Sequence, residues 1–205
     1  GNRARPDLVK KFFPNGNVPN LESYATAEAA GDDRALFNGV NRTLDNEDVS
    51  TFKSGFGVAK FTNFKTDGSA GHDATFPDAD FFLMRAAEAY LNFAEADARL
   101  HGDQTTEEGT AAINAIRKRA HASTREDKGY SLNDICDEWS REFYFEGRRR
   151  MDLIRFNRFG GNVNYNWQWK GGTKEGRNFS KDLNIFAIPT NELTSNKNLT
   201  QNPGY

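Results

Sequence analysis

Cysteine is nearly missing from this chain, with Cys136 the single example in 205 residues. That excludes an internal disulfide framework and a cysteine-built zinc site. Histidine is almost as scarce: His72, His101 and His121 lie far apart in the sequence. None is spaced to share a helical turn with another histidine or with the cysteine, so no metal is expected. No apolar run approaches the ~18 residues that a membrane span requires. Neither sign of charge dominates, since 27 Lys and Arg face 29 Asp and Glu for a net charge of −2. This balance gives no electrostatic reason to expect nucleic acid or an anionic membrane surface as a partner. A glycine-rich phosphate loop and a G-x-S-x-G elbow are also missing, so nucleotide binding and serine nucleophilic catalysis lack support and no cofactor is expected.

What the chain has instead is aromatic mass. Aromatic residues make up 13% of it, and Phe alone accounts for 17 positions. The length allows one large domain or two small ones. The opening GNRARPDLVKKFF lacks Met and reads as the start of a piece excised from a longer protein.

Three textures succeed one another. Residues 1–78 are punctuated by Pro6, Pro14, Pro19, Gly31, Gly55, Gly57, Gly71 and Pro77, which predicts irregular chain. Short strands are expected at 34–37 and 58–64, and a short helix at 20–30 ended by Gly31. From 79 to 159 the pattern is helical. ADFFLMRAAEAYLNFAEADARL is free of Gly and Pro and rich in Ala, which predicts a helix capped by Asp78 or Asp80, with Leu83, Ala86, Ala87, Tyr90, Phe93 and Ala94 on its apolar face. Thr105 and Glu108 have capping-box spacing for a second helix through Ala120, with Ala112, Ile113 and Ile116 inward. A short turn between two such helices makes an αα-hairpin of the tetratricopeptide kind. A long third helix is expected from Ser131, with Asp134 in its cap, to about Phe159. Its inward stripe is Leu132, Ile135, Cys136, Trp139, Phe143, Gly147, Met151 and Ile154, with Gly147 allowing close helix contact. Residues 160–205 return to loops, with a strand at 184–189 and a short helix near Thr190. The fold class is therefore mainly α: a tetratricopeptide-like αα-hairpin plus a long third helix, with extensive loops and a few short strands.

Two constellations carry chemistry. REFYFEGRRRMDLIRF (141–156) sets Glu142 and Glu146 four apart, with Arg148, Arg149, Arg150, Asp152 and Arg155 following. Paired carboxylates suit glycoside hydrolysis, in which one must hold a proton. Cations crowd both here, so a structural ion-pair network is expected instead, with Arg149 and Arg150 reaching Glu88 or Glu95. The second is GGNVNYNWQWKGG (160–172), in which Tyr165, Trp167 and Trp169 alternate with Asn164, Asn166 and Gln168. Ring faces stack on the C–H groups of sugars, and amides bond their hydroxyls. In a strand, however, rings and amides would point to opposite sides, which favours packing over binding. Tyr165, Trp167, Trp169, Asn166 and Gln168 stand as the glycan-binding candidates.

FPDADFFLMRAAEAYLNFAEA, AAINAIRKRA, REFYFEGRRRMDLIRF, WQWKGG and the closing NIFAIPTNELTSNKNLTQNPGY follow one another in this order. In this the chain resembles the C-terminal portion of SusD-like (SusD/RagB) proteins of Bacteroidetes. The resemblance implies a mainly helical, tetratricopeptide-like protein, not an enzyme, that binds oligosaccharides, polysaccharides or, in some members, peptides. It implies an outer-membrane surface lipoprotein partnered with a SusC-like TonB-dependent transporter, its lipid anchor outside this stretch. It also implies that an N-terminal helical half belongs with it and that the ligand surface draws largely on that half. A tetratricopeptide-like scaffold that binds only protein is the alternative.

Overall fold

The computed structural model describes residues 2–65 and 67–205. They divide into two compact units, residues 1–149 and 150–205. Seven α-helices and one two-stranded sheet are present among the described residues.

The first unit begins with α1 (Pro6–Val9), which has Pro at its first position, and a 3-10 turn over Lys10–Phe12. Helix α2 (Ser23–Ala30) stops before Gly31, as expected. The sheet is smaller than expected: β1 (Phe37–Asn38) pairs antiparallel with β2 (Gly57–Val58), Phe37 opposite Val58. The strand expected over 58–64 does not extend beyond Val58. Side chains hold this region together, since Ala4, Val9, Phe12, Phe13, Ala27, Ala35, Phe37 and Phe56 form one buried cluster that also takes in Tyr144.

Three helices make the rest of the first unit. Helix α3 (Ala86–Leu100) begins seven residues later than expected, after Arg85 in extended conformation. Asp78 cannot cap it, because its carboxylate accepts from the His72 amide instead, at 2.8 Å. The buried face of α3 is Ala87, Leu91, Ala94 and Ala98, while Tyr90 and Phe93 are exposed. The face is turned from the expected one because α3 packs on both α4 and α5, and small residues let three helix backbones approach. Helix α4 (Glu107–Arg119) is capped by Thr106 rather than Thr105. The Thr106 amide and hydroxyl donate to the Asp97 carboxylate at 2.7 and 3.0 Å, and Thr105 Oγ1 accepts from the Tyr130 amide at 2.8 Å.

Helix α5 (Leu132–Phe143) opens with the expected capping box of Ser131 and Asp134. It buries Ile135, Cys136, Trp139 and Phe143. The long third helix is nonetheless two helices, since α6 (Arg149–Arg155) is separate. The break has a cause in packing. Tyr144 leaves the helix, its ring lying 5.2 Å from Phe37 and its hydroxyl donating to the Arg34 carbonyl at 2.6 Å. The carbonyls that the break frees are bonded by cations: Lys60 Nζ reaches those of Glu142 and Tyr144 at 2.9 and 3.0 Å, and Arg85 reaches that of Glu142 at 2.7 Å. Cationic donors at a helix C-terminus also suit its dipole. Gly147 has φ +77 and open space around it, so it serves the left-handed turn and not a close helix contact.

In the second unit, α6 is followed by loops, 3-10 turns at Lys170–Gly172 and Lys181–Asn184, and α7 (Thr190–Ser195). Met151, expected to face inward, is exposed. The strand expected over 184–189 is an extended segment whose partners are side chains. Gln201 brackets Ile188, accepting from its amide at 2.8 Å and donating to its carbonyl at 2.9 Å, Asn202 donates to the Phe186 carbonyl at 2.8 Å, and the Tyr205 hydroxyl to that of Ile185 at 2.9 Å. No helix among the described residues is long and apolar enough to cross a membrane.

Candidate functional site

Helix α5 and the turn after it set Glu138, Glu142 and Glu146 four residues apart. Glu138 and Glu142 are buried. Arg34 joins Asp32, Glu138 and Glu142, at 2.7, 2.7 and 2.9 Å. Arg117 and Arg141 also bond Glu138, at 2.6 and 2.7 Å. Arg119 bonds Glu142 at 2.7 Å, and Arg85 bridges Glu142 and Glu146, the latter at 2.8 Å. Lys60 completes the set on Glu146. Burial by itself would raise the pKa of all three glutamates. The guanidiniums of Arg141, Arg34 and Arg117 outweigh it at Glu138, those of Arg119 and Arg85 at Glu142, and Arg85 with Lys60 at Glu146. All three end below the usual carboxylate range. A glycosidase needs one carboxyl of its pair protonated, and here Glu142 and Glu146 share a cation that holds both as anions.

The other residues of the expected network have partners of their own. Arg148 pairs with Glu88 at 2.9 Å and lies over the Trp139 ring at 4.2 Å. Arg149 donates to the Cys136 carbonyl at 2.8 Å. In the second unit Arg155 pairs with Asp152 at 3.0 Å, and Arg150 donates to the Leu183 and Asn184 carbonyls at 3.1 and 2.9 Å. Glu95 takes Arg99 at 2.9 Å and the Trp139 indole at 3.0 Å. The sequence reading missed Asp32, Arg34, Lys60, Arg85, Arg117, Arg119, Glu138 and Arg141. The four-residue recurrence of glutamate from 138 to 146 was the one local signal. The partners come from distant sequence.

The aromatic segment does not form a strand. Residues 163–169 run through bends and turns, and Trp169 has a left-handed φ of +69. The structure brings Tyr165 and Trp167 together at 6.2 Å, and Trp167 stacks on Phe159 at 6.2 Å and 20°. Arg158 lies over Tyr165 and Lys170 Nζ over Trp167, both at 4.8 Å. Asn166 donates its amide to the Glu175 carbonyl at 2.8 Å, and Gln168 is half-buried. Tyr165 and Trp167 are engaged with protein neighbours, and Trp169 stands in the turn beyond them. The structure also contains a 680 Å³ cavity in the second unit, with Arg150, Phe159, Arg177, Phe179, Phe186 and Tyr205 in its walls. The glycan-binding candidates do not line it.

The sequence model of the SusD family matches residues 14–205. The starch-binding protein SusD of Bacteroides thetaiotaomicron is 43% identical over 182 residues, which cover 87% of this chain and 32% of that protein. This chain thus spans about a third of the length of that curated relative. Among solved structures, a SusD-like protein from Bacteroides fragilis superposes with a TM-score of 0.64 at 21% identity, over 99% of this chain and 47% of that one. A laminarin-binding SusD-like protein does so with a TM-score of 0.53 at 23% identity, over 100% and 38%. These structures share the fold, helices with few strands.

Proposed function

Given that the chain belongs to the SusD family, we propose that it is the C-terminal portion of a protein that captures glycans noncovalently at the bacterial surface. In this reading the parent is a lipid-anchored outer-membrane protein that hands its ligand to a SusC-like TonB-dependent transporter. It performs no chemistry on the sugar. The observation that carries the reading is the 43% identity, over most of the chain, to a protein named for binding starch. The locked state of Glu142 and Glu146 supports capture over hydrolysis. Stacking of rings on sugar faces and hydrogen bonds to hydroxyls supply the affinity, with Tyr165, Trp167, Trp169, Asn166 and Gln168 the residues of this stretch put forward for it.

Affinity electrophoresis of the chain in gels containing soluble starch, laminarin or pectin tests this, with released reducing ends assayed in parallel. Retardation by a glycan without release of sugar is the expected result. Release of sugar that Glu146→Gln abolishes would overturn the noncatalytic part. The exposed run Phe81, Phe82, Leu83 and Met84 favours the second reading, a scaffold that binds only protein. That reading gains if no glycan retards the chain while a transporter fragment binds it.

A further inference from the structure

We propose that the cavity in residues 150–205 is a subsite for an acidic sugar, a pyranose ring bearing a carboxylate. The inference rests on the glycan-capture reading and names a ligand class for it.

The cavity has the volume of a small-molecule site, 680 Å³ against the ~300–1,000 Å³ usual for such pockets. Its walls are rings. Phe159 and Phe179 meet edge to face at 5.0 Å. Phe186 is 71% exposed and Tyr205 51%. Tyr205 is fixed by its hydroxyl on the Ile185 carbonyl, 2.9 Å away, which leaves its ring, not its polar tip, to face a ligand. Such surfaces suit the C–H face of a sugar.

The polar groups decide the charge of that sugar. Arg150 and Arg177 line the cavity with Asn178, and among the described residues no Asp or Glu does. Arg150 spends one terminal nitrogen on two carbonyls, those of Leu183 and Asn184, and its guanidinium lies 4.0 Å from the Phe186 centroid. Arg177 spends Nε on the Gly171 carbonyl at 3.0 Å. Neither has a carboxylate partner among the described residues. Five arginines of the first unit, Arg34, Arg85, Arg117, Arg119 and Arg141, end on glutamates, while Arg3 and Arg42 bond backbone carbonyls. A sugar hydroxyl both donates and accepts, so hydrogen bonding alone does not set the charge of the ligand. What favours an acid is charge: two guanidiniums line the cavity with backbone carbonyls as their hydrogen-bond partners, and a carboxylate both neutralises them and matches the guanidinium fork. Gly171 holds Arg177 in place. Its φ is +61, and a Cβ there would stand 2.7 Å from the Arg177 carbonyl oxygen and 2.8 Å from its Cγ.

Isothermal titration of the full chain with trigalacturonic acid and with maltotriose, a neutral sugar of equal length, tests the assignment. Trigalacturonic acid should bind more tightly, and salt should weaken it. Arg177→Gln should cost about tenfold in affinity, the scale of one charge-assisted bond, and Arg177→Lys less. Phe186→Ala, at an exposed position, should weaken the acidic sugar without unfolding the chain. The assignment fails if trigalacturonic acid binds no better than maltotriose, or if Arg177→Gln and Phe186→Ala leave its affinity unchanged. If maltotriose binds and the acid does not, the assignment falls and glycan capture stands. If no sugar of either kind binds here or in the electrophoresis, both fall.

Discussion

The indole nitrogen of Trp139 donates to Oε2 of Glu95 at 3.0 Å, so α5 and α3 are joined by a buried hydrogen bond. Trp139 is fully buried and Glu95 is 4% exposed. Trp139→Phe keeps most of the packing and takes away the donor from a buried carboxylate, which costs about 1–3 kcal/mol. Trp139→Ala adds a cavity, for a total of about 3–5 kcal/mol. Urea unfolding measures both, as a lower midpoint at unchanged slope. A Trp139→Phe midpoint equal to the parent's would show that the bond adds nothing.

The glutamate ladder makes stability depend on pH. Glu138, Glu142 and Glu146 have folded pKa values below their unfolded ones, and Asp134 is brought down to about 2, where bonds from Arg125 and Ser131 outweigh its burial. A carboxylate depressed in the folded state contributes stability that is present above its unfolded pKa, about 4.3 for Glu and 3.9 for Asp, and lost as pH falls toward the folded value. Tm should therefore be flat from pH 8 to about 6 and drop by more than ~10 °C between pH 6 and 3. Calorimetry over that range is the check, and a flat profile down to pH 3 would contradict the ladder. Arg34→Met tests it by removing the cation that Asp32, Glu138 and Glu142 share, with an expected cost of about 3–5 kcal/mol.

The helices were legible where local signals are strong. Ser131 and Asp134 announced the start of α5, and Gly31 the end of α2. Where long-range contacts win, the sequence misled. REFYFEG reads as unbroken helix, yet Tyr144 is drawn into a cluster with Phe12 and Phe37, residues more than a hundred positions away. Alternation in VNYNWQW would suit a strand, but the segment stays within the loops expected over 160–205, and Lys170 organises it. The cavity residues carried no pattern, because 150 lies on α6 while 177, 186 and 205 lie on separate loop segments. Unpaired arginines in particular cannot be told from paired ones without knowing their neighbours.

Lys170 is 1% exposed, and its ammonium donates to the Asn162 and Tyr165 carbonyls at 3.1 and 2.5 Å. Burial lowers its pKa. The loop that carries Tyr165 and Trp167 is thus tied to one cation. Lys170→Met fills the space and leaves two carbonyls without that donor, at a local cost of about 1–3 kcal/mol. Hydrogen exchange should speed up at amides across 161–177, with those of α3 to α5 unchanged. Uniform acceleration in all helices would mean that Lys170 supports the whole fold and not this loop.

Phe81, Phe82, Leu83 and Met84 are 62%, 58%, 86% and 84% exposed, and Tyr90, Phe93 and Leu100 on α3 are 47%, 52% and 80% exposed. One exposed apolar residue is ordinary, but a run of four next to a helix face with three more is the kind of patch that soluble monomers avoid. The chain on its own should therefore self-associate, with a sedimentation coefficient that rises with concentration across the micromolar range. Leu83→Ser with Met84→Ser should reduce that association while leaving Tm within about 2 °C, because side chains so exposed stabilise the fold by no more than ~0.5 kcal/mol. A parent chain that sediments as a monomer at every concentration would show that this patch is not an adhesive surface.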